Sequence, residues 1–361
     1  MKLPAYLTFP GNGVHTVHTA KDRKQELVQA YYGISHLKEA DSLWKKKVLA
    51  DFPKSKTLLL GAPSDAGAGI VRGSNWGPLF LRNKMLQENL SSFLDLGDIR
   101  VVPHLLHDKY LNLETINDVQ KALKLSELQP VSPLSMLEEF SKNIFSQHHQ
   151  KHLLTLGGDH SISWPLTKSW IESFSDSSQI GVLHFDAHTD LLDQRLGIDY
   201  CFGSWSYHCA KKLADPANLV QVGIRSSGYP KEHWEKSIGV KQFWSKEVLK
   251  EGASNIAQRI IKHFQAQGIK TLYLSFDIDC FDSSYANATG TPEKGGLAPF
   301  HALEILSQIT QHFKIHSADL VEVAPFISYA SDSGQSPEPN TTIESAFSII
   351  NFLFEYWERN D

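Results

Sequence analysis

Residues 180–190 read IGVLHFDAHTD: a short apolar run, Ile180 to Phe185, passes directly into Asp186, His188 and Asp190. A stretch this short, rich in β-branched and aromatic side chains, predicts a buried strand, and the polar residues after it predict the loop at its carboxyl end. Similar runs recur at 57–61 (TLLLG), 152–156 (HLLTL), 219–224 (LVQVGI) and 271–276 (TLYLSF). Between them, 135–148, 247–264, 300–313 and 342–357 carry apolar residues at three- and four-residue spacing, the pattern of amphipathic helices. Strands alternating with helices predict an α/β fold in three layers, α/β/α, around a mainly parallel central sheet.

The 361 residues include 40 acidic and 35 basic ones, for a net charge of −5, and 41% are hydrophobic. That balance belongs to a folded chain and excludes disordered, collagen-like and small disulfide-scaffold classes. The longest basic run, Lys45 to Lys47, is too short for a nucleic-acid footprint. Three cysteines, an odd number in a long chain, point to reduced thiols and a cytoplasmic setting. No apolar run approaches the ~18 residues of a membrane span. Pro4 and Pro10 interrupt the start before a secretory signal develops. Stretches 173–179 and 331–340, rich in Ser, Pro and Asp, predict surface loops. No repeat or biased linker divides the chain, so residues 56–361 are expected to form a single domain. Residues 1–55 lack a clear strand, carry a predicted helix over about 21–49, and read as a helical extension.

Three polar segments follow predicted strands: GGDHSIS (157–163), HFDAHTD (184–190) and SFDIDCFD (275–282). Ligands of open α/β sheets bind beyond the carboxyl ends of strands, so the three should open into one crevice. In extended segments side chains alternate, which puts Asp186, His188 and Asp190 on one side and does the same for Asp277 and Asp279. With His160, the set gathers four carboxylates and two imidazoles. Like charges so gathered repel unless cations neutralise them. Oxygen-rich ligation without a thiolate pair fits a hard ion such as Mn²⁺, with Ni²⁺, Co²⁺ and Zn²⁺ also compatible. Four aspartates are balanced by two divalent ions, which points to a dinuclear site.

These motifs, followed by ATGTPEKGGL (288–297), resemble the arginase/agmatinase/formiminoglutamase (ureohydrolase) family. GAPSDAGAGIVRGSNWGP (61–78) and VEVAP (321–325) extend the resemblance to about residues 57–358. It implies that His160, Asp186, Asp190 and Asp277 hold one ion, that His188, Asp186, Asp277 and Asp279 hold the other, and that Asp186 and Asp277 bridge. It also implies hydrolysis of a guanidino compound to urea and an amine by a hydroxide between the metals. Glu322 would clamp the guanidinium through charge-assisted hydrogen bonds, and Thr291 would line the wall beside the metals. Glu322, Asp190 and His208 are the candidate catalytic residues. Trimeric or hexameric self-association is implied by the resemblance alone.

Two departures bear on the substrate. DYCFGSWSYH (199–208) puts Cys201 and Phe202 before Gly203, where arginases and agmatinases carry a proton-shuttling histidine, and His208 is the nearest substitute. VGIRSSGYP (222–230) lacks the acids that engage an α-amino group, and LLDQRLG (191–197) lacks the Asn- and Ser-rich carboxylate loop. An agmatine- or guanidino-acid-like substrate is therefore expected over L-arginine. Leu191, Leu192, Leu196, Phe202 and Trp205 either line a less polar pocket or pack their loop on the core, and Arg195 is a candidate partner for a substrate carboxylate. The alternatives are a formiminoglutamase-like hydrolysis of another linear amidine and a metal-binding, non-catalytic role. Neither a nucleic-acid nor a membrane partner is expected.

Overall fold

Nine strands form one sheet among the described residues: β1 (Leu7–Thr8), β2 (Thr57–Ala62), β3 (Leu94–Ile99), β4 (His152–Gly157), β5 (Ile180–Phe185), β6 (Leu219–Val222), β7 (Lys241–Phe243), β8 (Thr271–Asp277) and β9 (Lys314–Val321). Their order is β1-β3-β2-β4-β9-β8-β5-β6-β7, and every neighbouring pair is parallel except β1 with β3. The computed structural model describes residues 3–14, 20–34, 36–69, 71–327 and 339–360. Of the loop expected at 331–340, positions 331–338 lie outside the described residues, and the last two open the final helix.

Alternation along the strands builds the layers. Leu154, Leu183 and Leu274 join one core with helices Ala253–Ala266 and Pro299–Ile309 and the final helix Pro339–Asn360. Their neighbours Leu153, Val182 and Tyr273 join the other with helices Pro133–Gln147, Ser163–Glu172 and Trp205–Lys212. A strand buried on both faces must be apolar at successive positions, which is why these runs are legible in the sequence. No helix among the described residues is long and apolar enough to cross a membrane.

Several expectations need correction. The helix expected over 247–264 is two, Ser245–Glu251 and Ala253–Ala266, because Gly252 takes φ 87°, a left-handed backbone that cannot continue a helix and that glycine adopts without a Cβ penalty. The one expected over 21–49 stops at Gly33 and restarts as Leu37–Asp51. The first fifty residues also do supply a strand. β1 pairs with β3, and the Gly11 and Gly13 N–H groups donate to Asp98 Oδ2 at 2.9 and 3.0 Å. β3 itself (LDLGDI) escapes pattern reading because Asp95 and Asp98 interrupt it. Both are tolerated inside because the buried Arg82 guanidinium meets them at 2.7 and 2.5 Å.

Candidate active site

β4, β9, β8 and β5 are consecutive in the sheet, and the polar segments leave their carboxyl ends side by side. After β4, Gly158 passes so close to Ser64 that a Cβ would run into the Ser64 carbonyl, and the chain then delivers His160. After β5 and β8 the backbone does not stay extended as expected. β5 ends at Phe185, and Ile278–Cys280 is a 3-10 turn. Side chain to backbone bonds do the gathering instead: Asp186 Oδ1 accepts the His188 N–H at 2.6 Å, Asp277 Oδ1 accepts the Asp279 N–H at 2.8 Å, and Asp279 Oδ1 accepts the Ala187 N–H at 3.1 Å.

The six residues come together as two nests that share Asp186. His160 Nδ1 lies 3.2 Å from Asp186 Oδ2, 3.2 Å from Asp190 Oδ2 and 3.1 Å from Asp277 Oδ2. His188 Nδ1 lies 3.0 Å from Asp279 Oδ2 and 3.5 Å from Asp186 Oδ1. Asp190 (φ 50°) and Glu322 (φ 64°) both hold left-handed backbones. Such conformations cost about 1–3 kcal/mol each in a non-glycine residue and persist where the surroundings over-determine them.

The charges are unbalanced. Burial, with Asp279 and Asp186 adding, drives the Asp277 carboxyl well above the usual range, and burial with Asp186 raises Asp190. Burial opposes a charge on His160, but Asp186, Asp190 and Asp277 outweigh it and raise its pKa well above the ordinary value. His188 is pushed up to about 12, with burial again overcome by Asp279 and Asp186. The hydrogen bonds say which nitrogen takes the charge. Tyr273 O–H and Ser275 O–H both donate to Asp319, at 2.8 Å each, so Ser275 Oγ accepts from His160 Nε2–H at 3.0 Å. Nδ1 is left buried, facing three carboxylate oxygens without a partner at hydrogen-bonding geometry. Such an atom can hold a cation, and the donor set fits a divalent metal.

The remaining candidates divide. Glu322 is buried beside the cluster, with Oε1 accepting the His160 N–H at 3.0 Å, and burial with Asp159 holds its carboxyl well above the usual range. Thr291 Oγ1 donates to Asp279 Oδ2 at 3.0 Å. His208 is not brought in: its Nε2 meets the Asp199 carbonyl at 2.9 Å, and its ring packs among Trp164, Tyr200 and Tyr207. Trp205 of that helix does reach a carboxylate of the cluster: its Nε1–H donates to Asp190 Oδ2 at 3.0 Å. Of the apolar loop residues, Leu191 and Trp205 are buried, whereas Leu196 is 100% exposed at a hairpin tip and lines nothing. Arg195 sits over the Phe202 ring at 5.6 Å.

Two further residues join the site without having been singled out. His184 Nε2 lies 2.8 Å from Asp186 Oδ2, and Glu293 Oε1 lies 3.6 Å from His188 Nε2. His184 had a signal, since it continues the period of two that runs through 186, 188 and 190. Glu293, in the 288–297 loop, had none.

A family model described as the arginase family matches residues 55–351. The mitochondrial guanidino acid hydrolase of Homo sapiens is 31% identical over 269 residues, 74% of this chain and 70% of that protein. The mitochondrial agmatinase of Gallus gallus is 36% identical over 286 residues, 74% of this chain and 73% of that protein. Among solved structures, the proclavaminate amidino hydrolase of Streptomyces clavuligerus superposes with a TM-score of 0.65 at 24% identity, covering 85% of this chain and 93% of that one, a likeness of fold.

Proposed function

The chain belongs to the arginase family and is a hydrolase of carbon–nitrogen bonds in linear amidines, and from that premise we propose that it hydrolyses a small guanidino compound, agmatine- or guanidino-acid-like and not L-arginine, to urea and an amine at a dinuclear metal centre. The observation that carries the reading is the pair of imidazole-carboxylate nests sharing Asp186. In this reading His160, Asp186, Asp190 and Asp277 would hold one ion, and His188, Asp186, Asp277 and Asp279 would hold the other. Mn²⁺ is the favoured metal, because oxygen donors outnumber nitrogen ones. Two such ions would supply Lewis acidity and would lower the pKa of a water toward neutrality.

The chain's own groups do the rest. Glu322, oriented by the His160 N–H, accepts the guanidinium N–H groups and turns the planar carbon toward the metals. Thr291 fixes Asp279 and forms the wall beside it. Asp190 carries a proton toward the leaving amine, a role that falls to it because Phe202 stands where the family histidine would be and His208 is turned to Asp199. Residues 56–361 are the catalytic domain in this reading, and 1–55 its extension. Cys201, Cys209 and Cys280 are free and buried, which supports a reducing, cytoplasmic location. Assembly as a trimer or hexamer belongs to the same proposal and is read by light scattering.

Urea release tests the reading. The protein is reloaded with Mn²⁺ or Ni²⁺ and offered arginine, agmatine, guanidinobutyrate, guanidinopropionate, guanidinoacetate and free guanidine. Urea from a non-arginine member is expected. Urea chiefly from arginine would show that the changed loops still admit an α-amino acid. Silence across the panel with two metals bound would favour another linear amidine, hydrolysed to formamide and an amine, or a non-catalytic role.

A further inference from the structure

His184, Gln221 and Gln242 stand in register on β5, β6 and β7, each fully buried. Buried polar side chains, two amides and an imidazole, on three successive strands are costly unless every polar atom is satisfied. Here they are joined into one chain. Trp244 Nε1–H donates to Gln242 Oε1 at 2.9 Å, Gln242 Nε2 donates to Gln221 Oε1 at 2.8 Å, and Gln221 Nε2 lies 3.0 Å from His184 Nδ1. Gln221 Nε2 also donates to the Thr189 carbonyl at 2.7 Å, and His184 Nε2 lies 2.8 Å from Asp186 Oδ2.

The direction of every bond in this ladder is determined. An indole can only donate, so Gln242 must present its oxygen to Trp244 and its nitrogen to Gln221. A backbone carbonyl can only accept, so Gln221 must turn its nitrogen toward Thr189 and therefore toward His184. Both ends agree on one orientation. His184 Nδ1 then accepts, its proton resides on Nε2, and Nε2–H donates to Asp186 Oδ2. With both ring nitrogens engaged, His184 is no metal ligand. Asp186 Oδ1 is held from the other side by the His188 N–H, so both carboxylate oxygens are pinned.

We infer that the Trp244–Gln242–Gln221–His184 ladder is a positioning device that sets the His184 tautomer and so locks the orientation of Asp186, the carboxylate shared by the two nests. The inference rests on the metal-centre reading and adds residues from two strands that carry no metal ligand. Partners of this kind alter metal affinity by roughly 10–100-fold when removed.

The test is Mn²⁺ binding to the full chain by equilibrium dialysis, with thermal unfolding as the check on folding. The wild type should bind two ions, and His184→Leu should bind at least about tenfold more weakly. His184→Gln, whose side-chain amide nitrogen replaces the Nε2–H donor, should recover most of that loss. Trp244→Phe, which keeps an aromatic ring but removes the donor at the head of the ladder, should weaken binding by less than His184→Leu. ¹⁵N-histidine spectra of the wild type, assigned by difference with His184→Gln, should show the Nε2–H tautomer. An Nδ1–H tautomer, wild-type affinity in a folded His184→Leu, or a folded His184→Gln no better than His184→Leu would each overturn the ladder alone. A wild type that takes up no Mn²⁺ would remove the metal reading and the ladder's role together. Should His184→Leu fail to fold, the tautomer still decides, and so does Trp244→Phe, whose affinity should fall below that of the wild type and which would overturn the ladder if it bound Mn²⁺ as tightly as the wild type.

Discussion

Taken together, the neighbouring strands β4 and β9 have buried histidine near both ends of the pair, with opposite outcomes. At the carboxyl ends, His160 lies 3.1–3.2 Å from three carboxylate oxygens, and its ring is driven to take a cation. At the amino ends, His316 accepts the Trp170 indole N–H on Nδ1 at 3.1 Å and presents Nε2 to the His149 carbonyl at 2.7 Å, while His152 stacks on Trp357 with 5.1 Å between ring centres. There burial lowers the His316 pKa to about 3, and the ring stays neutral. Both ends are buried and rich in imidazole, so burial does not make a site. Carboxylates around one ring make it a cation trap, and indoles and carbonyls around the other make it core.

The sharpest way to break the contrast is to remove Asp277, a carboxylate that the proposed metal centre would share. Asp277→Ala should abolish the two-ion stoichiometry, measured as metal content, and cut urea release by about 10³-fold or more, because the ions supply several kcal/mol at 1.36 kcal/mol per decade. Retention of two ions would contradict bridging by Asp277. Glu322→Gln should leave both ions in place and lower kcat/KM by about 100-fold, the worth of roughly one charged hydrogen bond to the substrate. Metal loss in that variant would move Glu322 from the substrate to the ligands.

The neutral end predicts an acid sensitivity of its own. An unfolded histidine binds its proton near 6.5 and folded His316 only near 3, so the unfolded state takes up more protons between those values. The stabilisation is whole above about 6.5 and is lost as pH falls toward 3, by up to about 1.4 kcal/mol per pH unit. Denaturant unfolding of metal-free protein across that range should show a steeper acid loss in the wild type than in His316→Gln. Equal slopes would place the titration elsewhere. The smallest effect is expected from His208→Ala, with kcat within about twofold of wild type. A fall of about 100-fold would reinstate this histidine as a proton carrier.

The difference between the two ends was only half legible beforehand. Asp186, His188, Asp190, Asp277 and Asp279 announce themselves because polar residues at short spacing directly after apolar strands are rare without a purpose. His316 and Asp319 hid the strand they belong to, since KIHSADLV lacks an apolar run, and the partners that make its polar groups tolerable lie far away in the chain. His208 read as a candidate because it is the nearest histidine after Phe202, whereas the side of its helix that faces the cluster was not legible.

What the amino-acid sequence determined by itself is local: the strand runs, the helical periods, the Asp and His types at the strand ends, and through them the α/β layers and the family. What only the tertiary structure decided is directional. Asx turns in place of extended backbone gathered the carboxylates, Trp205 in place of His208 met Asp190, and a ladder across three strands set the face that His184 shows to Asp186. Hydrophobic pattern survives in sequence because burial depends on each residue's own surface. The polarity of a hydrogen bond depends on a partner that folding alone brings near.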